Sequence, residues 1–221
     1  MKVIKTIWLI SIMIIVGCSS KNEKKTVRKN PDVLPYFNSY DLTPQWGEGK
    51  EVKKHKIAPF SFTNQDGKKV SKQDYDGKIY VSHFFFTSCT SICKVLINNM
   101  SLLQENFEGD ENVKFISHSV TPEIDSVQKL KEYADYHQIN SKQWSLVTGN
   151  KDEIYKIARE SYFSDDDFKE SKKASTFIHS ENFLLVDPTG HIRGVYNGTL
   201  NIEIDRITNH IKLLKKEFNI K

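Results

Sequence analysis

Cysteine is scarce in this chain, three in 221 residues, and two of the three, Cys89 and Cys93, stand four positions apart. A bridge between those two would close so small a loop that it restrains little of the chain, so stapling is a poor reason for the pair. Net charge is also small. The formal balance is +4, but Lys2 and Lys5 contribute two of those charges and the stretch from Lys21 to Asn30 contributes four more, leaving about −2 for the rest. A surface that close to neutral offers no broad basic patch for nucleic acid. There are no internal repeats and no sign of a second domain, and the roughly 170 residues after the N-terminal segment suit a single one.

The N-terminus has too short an apolar run to span a bilayer comfortably: a charged start, Met1-Lys-Val-Ile-Lys5, then a mostly apolar stretch from Ile7 to Val16 that stops at Gly17-Cys18. That layout describes a secretory signal over residues 1–17. Ile15-Val-Gly-Cys18 resembles the bacterial lipobox, with isoleucine where leucine is usual, and Cys18 would become the lipidated first residue. The alternative is an uncleaved N-terminal anchor carrying an incidental cysteine. Under either reading the folded part is exported and held at a membrane, on the periplasmic or extracytoplasmic face, where disulfides are permitted. Residues 18–50 then form the lipidated cysteine, a basic tether and an extended lead-in from Pro31 to Gly49, with three prolines and Trp46; the domain occupies 51–221.

Within that domain the patterns are clear. Phe60-Ser-Phe62 and Lys69-Val70 flank Asn64-Gln-Asp-Gly67 as a hairpin. Ile79 to Phe86 is a run of β-branched and aromatic residues and reads as a buried strand; Val95 to Phe107 carries helical spacing. Val113 to Val120 is a second strand. Pro122 and Asp125 open a helix, Asp125 and Gln128 being spaced as a capping box, with Val127, Leu130, Tyr133 and Ala134 as its apolar face. Trp144 to Val147 is a short strand, Asp152 to Tyr162 a helix, and Ser164 to Lys173 a polar insertion. Its acidic triplet Asp165 to Asp167 lacks the glycine and terminal glutamate of a calcium loop and reads as solvated. Asn182–Asp187 and His191–Tyr196 form a hairpin, and Ile202 to Phe218 a closing helix with Ile204, Ile207, Ile211, Leu214 and Phe218 facing inward.

The thiols therefore lie on a strand-to-helix turn, at the positive end of a helix dipole, where thiolate is favoured. Thiolates attack disulfides and bind soft metals, so redox chemistry, metal chemistry or both are open. Among the histidines, His118 stands near a strand end with a hydrogen-bonding role, His83 reads as a satisfied core residue, and His55, His137, His191 and His210 as surface residues. Met100 reads as core and Met13 belongs to the signal; Asp187 begins a turn.

A cysteine pair ending the first central strand resembles the thioredoxin fold, an α/β architecture with a central mixed sheet flanked by helices. The local motifs resemble the Sco (SenC) family of copper-handling proteins more narrowly: Phe84-Phe-Phe-Thr-Ser-Cys89-Thr-Ser-Ile-Cys93, Ser119-Val-Thr-Pro-Glu-Ile-Asp125, Leu130-Lys-Glu-Tyr133, Val147-Thr-Gly149, and His179-Ser followed by Leu185-Val-Asp-Pro-Thr-Gly190. The likeness runs from about His55 to the C-terminus. It implies that Cys89, Cys93 and His179 bind one copper ion, Cu(I) or Cu(II), and that the cysteines also act as a redox pair. It implies a role in building the CuA centre of cytochrome c oxidase, with the CuA-bearing subunit and a thioredoxin-like thiol reductant as partners and the membrane reached through a lipid anchor. Family members commonly carry proline after each motif cysteine, where this chain has Thr90 and Lys94; that loosens the backbone without removing a ligand.

Three functions fit the residues: a copper chaperone without turnover, a thiol-disulfide oxidoreductase, and a peroxide-reducing thiol enzyme. The Cys-x3-Cys spacing differs from the Cys-x2-Cys of thioredoxin, and the threonine-proline context of peroxiredoxin-like sites is missing, so copper handling leads.

Overall fold

A computed structural model describes residues 32–47, 54–165 and 180–221. Cys18, the signal, the basic stretch, the insertion beyond Asp165 and His179 lie outside the described residues.

Among the described residues seven strands form one mixed sheet in the order β2-β1-β5-β4-β3-β6-β7. The strands are β1 (Ser61–Asn64), β2 (Lys69–Ser71), β3 (Ile79–Phe85), β4 (Val113–Ser119), β5 (Trp144–Thr148), β6 (Asn182–Val186) and β7 (Ile192–Asn197). β3, β4 and β5 run parallel, while β6 and β7 on one side and β1 and β2 on the other are antiparallel. Central β3 is buried at all seven positions, as its unbroken run of branched and aromatic side chains requires of a strand covered on both faces.

Among the described residues four helices connect and cover the sheet: α1 (Ile92–Asn106), α2 (Val127–Tyr136), α3 (Lys151–Glu160) and α4 (Asn201–Glu217). β3-α1-β4 and β4-α2-β5 step in the same direction across the sheet, so right-handed crossovers put α1 and α2 on one face. Leu96, Met100, Leu130, Ala134, Ile207 and Leu214 of α1, α2 and α4 meet Val81, Phe85 and Phe115 there. α3 covers the other face, where Ile154, Ile157 and Ala158 join Phe62, Phe84 and Ile116. This is the expected α/β sandwich, with each element within a few residues of its sequence pattern.

The lead-in is tied to the end of the sheet where β3 begins. Phe37 N donates to Ile192 O (3.0 Å). The Arg193 guanidinium, fully buried, donates to Leu34 O (2.8 Å) and Pro35 O (3.1 Å), and pairs with Asp187 (3.2 Å) and Glu217 (2.8 Å). Nothing in the hairpin pattern marks Arg193 as buried; its signal is the matching carboxylate Asp187 in the preceding turn.

Two expectations fail at named residues. Asp165 is not solvated: Arg159 Nε donates to its carboxylate at 2.6 Å and both side chains are buried. The capping box at α2 does not form. Ser126 is the N-cap and accepts from Lys129 N (3.2 Å), leaving Asp125 for another task.

Candidate functional site

α1 begins three residues earlier than its apolar periodicity indicates, so Cys93 lies in the first turn and Cys89 in the loop just before it. The N-cap residue Ser91 makes no side-chain cap and no acidic residue occupies the first turn. A sulfur takes that place: Cys93 N donates to Cys89 Sγ at 3.4 Å. Lys94 N donates to Ser91 O (3.3 Å), a bond that a proline at this position could not make.

Both cysteines are free thiols, and their environments differ. Cys93 is buried (3% exposed), whereas Cys89 is half-buried. Burial pushes the Cys93 thiol up to about 12, helped by its hydrogen bond to Cys89 and by the negative charges of Cys89 and Asp125. Burial also works against ionising Cys89. There the hydrogen bonds from the Cys93 thiol and from the N–H groups of Cys93, Ser91 and Ile92 more than offset it, and the Cys89 thiol falls below its ordinary value. The exposed sulfur is therefore the one disposed to ionise first.

Cys89 opens on a cleft of about 560 Å³ shared with Thr87, Lys94, Asn98, Lys129, Glu132, Tyr133, Tyr136 and His137. Tyr133 packs at a tilt against Phe85 and against His137, ring centroids 5.7 and 4.4 Å apart. Burial and the nearby thiols and Asp125 raise its phenol. His137, read from sequence as a surface residue, is a wall of this cleft. The clue was its spacing of four from Tyr133 on one helix face.

His118, expected to have a hydrogen-bonding role near a strand end, has one, on the face of the sheet away from the thiols. It stacks on Phe84 (4.9 Å), stands edge-on to Phe60 and Phe62, and pairs with Ser82 Oγ at 3.4 Å. Alternation along β4 explains this, since Ser117 and Ser119 flank it on the opposite face. His83 is in the core as expected but only half satisfied. Trp144 Nε1 donates to Ser117 Oγ (2.7 Å), Ser117 meets His83 Nδ1 (3.2 Å), and His83 Nε2 has no partner among the described residues. His191 is buried rather than at the surface, with Nδ1 2.6 Å from Thr189 Oγ1; His55 bonds Ser161 O, and His210 bonds the Tyr196 hydroxyl. Met100 is in the core. Among the described residues, no three His, Cys, Asp or Glu side chains gather in a group able to hold a metal ion, and no helix there is long and apolar enough to cross a membrane.

The sequence pattern of the SCO1/SenC family matches residues 48–215, most of the chain and the whole of the site just described. This chain belongs to the SCO1/SenC family. A SCO1 protein homolog of Bacillus subtilis is 32% identical over 169 residues, covering 74% of this chain and 86% of the relative. The structure of BsSco, studied for a disulfide switch and as a member of the Sco family of cytochrome c oxidase assembly proteins, superposes with a TM-score of 0.64 at 30% identity, covering 77% of this chain and 99% of that one. A SCO1/SenC family lipoprotein from Bacillus anthracis gives 0.63 at 28% identity, over 76% and 99% of the two chains. Arabidopsis thaliana ScoI with copper bound gives 0.56 at 25%, over 72% and 98%. The thioredoxin-like reading of the fold stands on these Sco structures, and the cysteine motif falls inside the matched region.

Proposed function

We propose that this SCO1/SenC protein is a copper carrier of cytochrome c oxidase assembly, exported and lipid-anchored through Cys18, in which the thiolates of Cys89 and Cys93 and the imidazole of His179 hold Cu(I) and pass it to the subunit that carries CuA. One observation carries the reading. A half-exposed sulfur and a buried one flank the uncapped start of α1, with Cys93 N–H 3.4 Å from Cys89 Sγ. The donor set suits the cargo: thiolate sulfur is soft and selects Cu(I), and a neutral imidazole completes such a site. Two thiolates and one monovalent ion leave a residual negative charge. The α1 N-terminus and Lys94, which lines the same cleft, lie on the side that offsets it. Copper bound in the Arabidopsis relative and the assembly role of BsSco support the assignment, and the Bacillus anthracis lipoprotein supports the anchor.

A second reading rests on the asymmetry of the thiols. Cys89, half-exposed and disposed to ionise, has the features of an attacking thiolate, and buried Cys93 those of a resolving thiol. As an oxidoreductase the pair would reduce a disulfide of its partner. Cys89 would form a mixed disulfide, and Cys93 would displace the partner's second thiol and leave Cys89–Cys93 oxidised until a thioredoxin-like donor restored it.

Titration of the reduced protein with Cu(I) against a competing chelator separates the two. One tightly held ion per chain, with two sulfurs and one nitrogen by X-ray absorption and weaker binding in His179→Ala, is the expected result. Loose, non-stoichiometric binding together with catalytic reduction of insulin would replace the copper reading with the oxidoreductase.

A further inference from the structure

Asp125 is a buried carboxylate with no ion pair among the described residues. Its oxygens accept four hydrogen bonds: from Thr87 N (3.2 Å), Thr87 Oγ1 (2.5 Å), Ser119 Oγ (2.6 Å) and Thr121 Oγ1 (3.1 Å). Four donors match the acceptor capacity of a carboxylate. The helix that follows does not use this side chain, since Ser126 caps α2. Two of the four bonds go across space to a single residue, Thr87, which is 38 positions away in sequence and two positions ahead of Cys89.

From Thr87 the restraint passes directly to the thiols. Phe86, its neighbour, accepts from Cys89 N through its carbonyl (3.3 Å), and Phe85 O accepts from Val120 N (2.9 Å), so the chain is fastened to the β4–α2 loop on both sides of Phe86, at Val120 and at Asp125. Cys89 Sγ in turn receives Cys93 N–H. The path from carboxylate to sulfur is therefore one hydroxyl, one peptide and one turn of backbone.

We propose that Asp125 is the positioning residue of the thiol pair: by clamping Thr87 to the β4–α2 loop it holds Cys89 and Cys93 in the dithiol arrangement, and so sets how readily they join as a disulfide. The inference deepens the reading above and rests on the same two thiols, but not on copper. Charge-assisted bonds to a buried carboxylate are the strong kind, so the clamp constrains more than a pair of neutral hydroxyls would. When it is released the loop loses its preference for the dithiol form, and oxidation becomes easier.

The test is a redox equilibrium measured without metal. Glutathione disulfide oxidises the pair: the Cys89–Cys93 bond forms, the glutathione S–S bond breaks, and two glutathione thiols take up the two protons. The full-length protein is equilibrated in glutathione buffers and its dithiol and disulfide forms are counted. Thr87→Val keeps the backbone donor and removes the hydroxyl; it is expected to shift the equilibrium about tenfold toward the disulfide, about 30 mV for this two-electron couple. Thr87→Ser is expected to match the parent. Asp125→Asn is expected to shift the equilibrium in the same direction, and Thr87→Val is expected to add little in its presence. A Thr87→Val protein whose equilibrium stays within twofold of the parent, whatever its melting temperature does, overturns the proposal, as does Thr87→Ser shifting as far as Thr87→Val. Because the readout needs no copper, a parent protein that fails to bind Cu(I) defeats the copper reading alone.

Discussion

The two ends of the sheet each bury a carboxylate, and they treat it differently. Where β7 begins, Asp187 faces Arg193, whose guanidinium also takes Glu217 and the carbonyls of Leu34 and Pro35 and lies 4.2 Å from the Tyr36 ring centre. Where β3 and β4 end, Asp125 has only hydroxyls and one peptide N–H. A buried carboxylate beside a cation is neutralised on the spot, and that end is a fastening. At the other end no cation among the described residues pairs with the buried carboxyl, which lies beside two thiols in the region proposed here to take a cationic cargo. Rigidity and reactivity are thus assigned to opposite poles of one sheet, and substitutions at either pole should separate them.

The sharpest separation is at the thiols. Cys89→Ser and Cys93→Ser are each expected to weaken Cu(I) binding by more than the ~10–100-fold that follows loss of an outer-sphere partner. Cys89→Ser, at a half-exposed position, should leave stability within about 0.5 kcal/mol. Chelator competition and chemical denaturation measure the two quantities on the same samples; a Cys89→Ser protein that holds copper as the parent does would erase the contrast. Arg193→Met is the reverse experiment. It removes the cation paired with Asp187 and the donor to two peptide carbonyls, and should cost about 3–5 kcal/mol, the usual penalty for removing one member of a buried ion pair. Copper affinity and the glutathione equilibrium of the folded fraction should not change.

Much of this contrast was legible in the sequence, and what was not has a common cause. Strands and helices followed from local periodicity because each buries one face, or for β3 both, and Cys89 and Cys93 were marked by their position after β3. Asp125 was misread because Asp-x-x-Gln spells a capping box, while Ser126, one residue later, offered a better-placed hydroxyl. Its real partner, Thr87, is brought to it by the parallel pairing of β3 with β4, which no local pattern encodes. Arg193 was missed for the same reason: Asp187 is near in sequence, but Glu217 and Leu34 arrive from α4 and the lead-in. The hydrogen-bonding role read for His118 holds, but the face of the sheet it occupies follows only from alternation along the strand. His137 was passed over although its spacing of four from Tyr133 put it on the helix face that lines the cleft.

Acid should expose a third difference, between the sheet's interior and both of its ends. Burial holds the imidazoles of His83 and His118 down to about 3 from an ordinary value of 6.5. Above pH 6.5 both are neutral whether the chain is folded or not, and neither makes stability depend on pH. Below 6.5 the unfolded chain takes up protons that the native core refuses, so stability falls through the window from 6.5 to about 3. Each histidine contributes up to about 1.4 kcal/mol per pH unit. Urea denaturation at a series of pH values should show this slope, and His118→Phe, which keeps the ring among Phe60, Phe62 and Phe84, should remove about half of the histidine contribution. An unchanged slope in that variant would mean the His118 ring is reached by water in the native state.

The smallest expected effect bears on the cleft beside Cys89. Lys94 lines it, within a side chain's length of a half-exposed sulfur and at the positive end of α1. It is the one cationic side chain in the first turn of α1. An exposed charge near a helix terminus is worth about 0.3–1 kcal/mol at low salt, which amounts to about two- to fivefold in a rate. Lys94→Glu should therefore slow alkylation of Cys89 by the anion iodoacetate by about that factor relative to neutral iodoacetamide, and the difference should fade toward 1 M salt as the screening length contracts to about 3 Å. Comparing the two reagents on one protein cancels any change in the thiolate fraction, because both attack the same sulfur. If the ratio of rates is the same in the parent and the variant at low salt, Lys94 does not set the field at the mouth of the cleft, and the helix terminus alone must offset the charge of the thiolates.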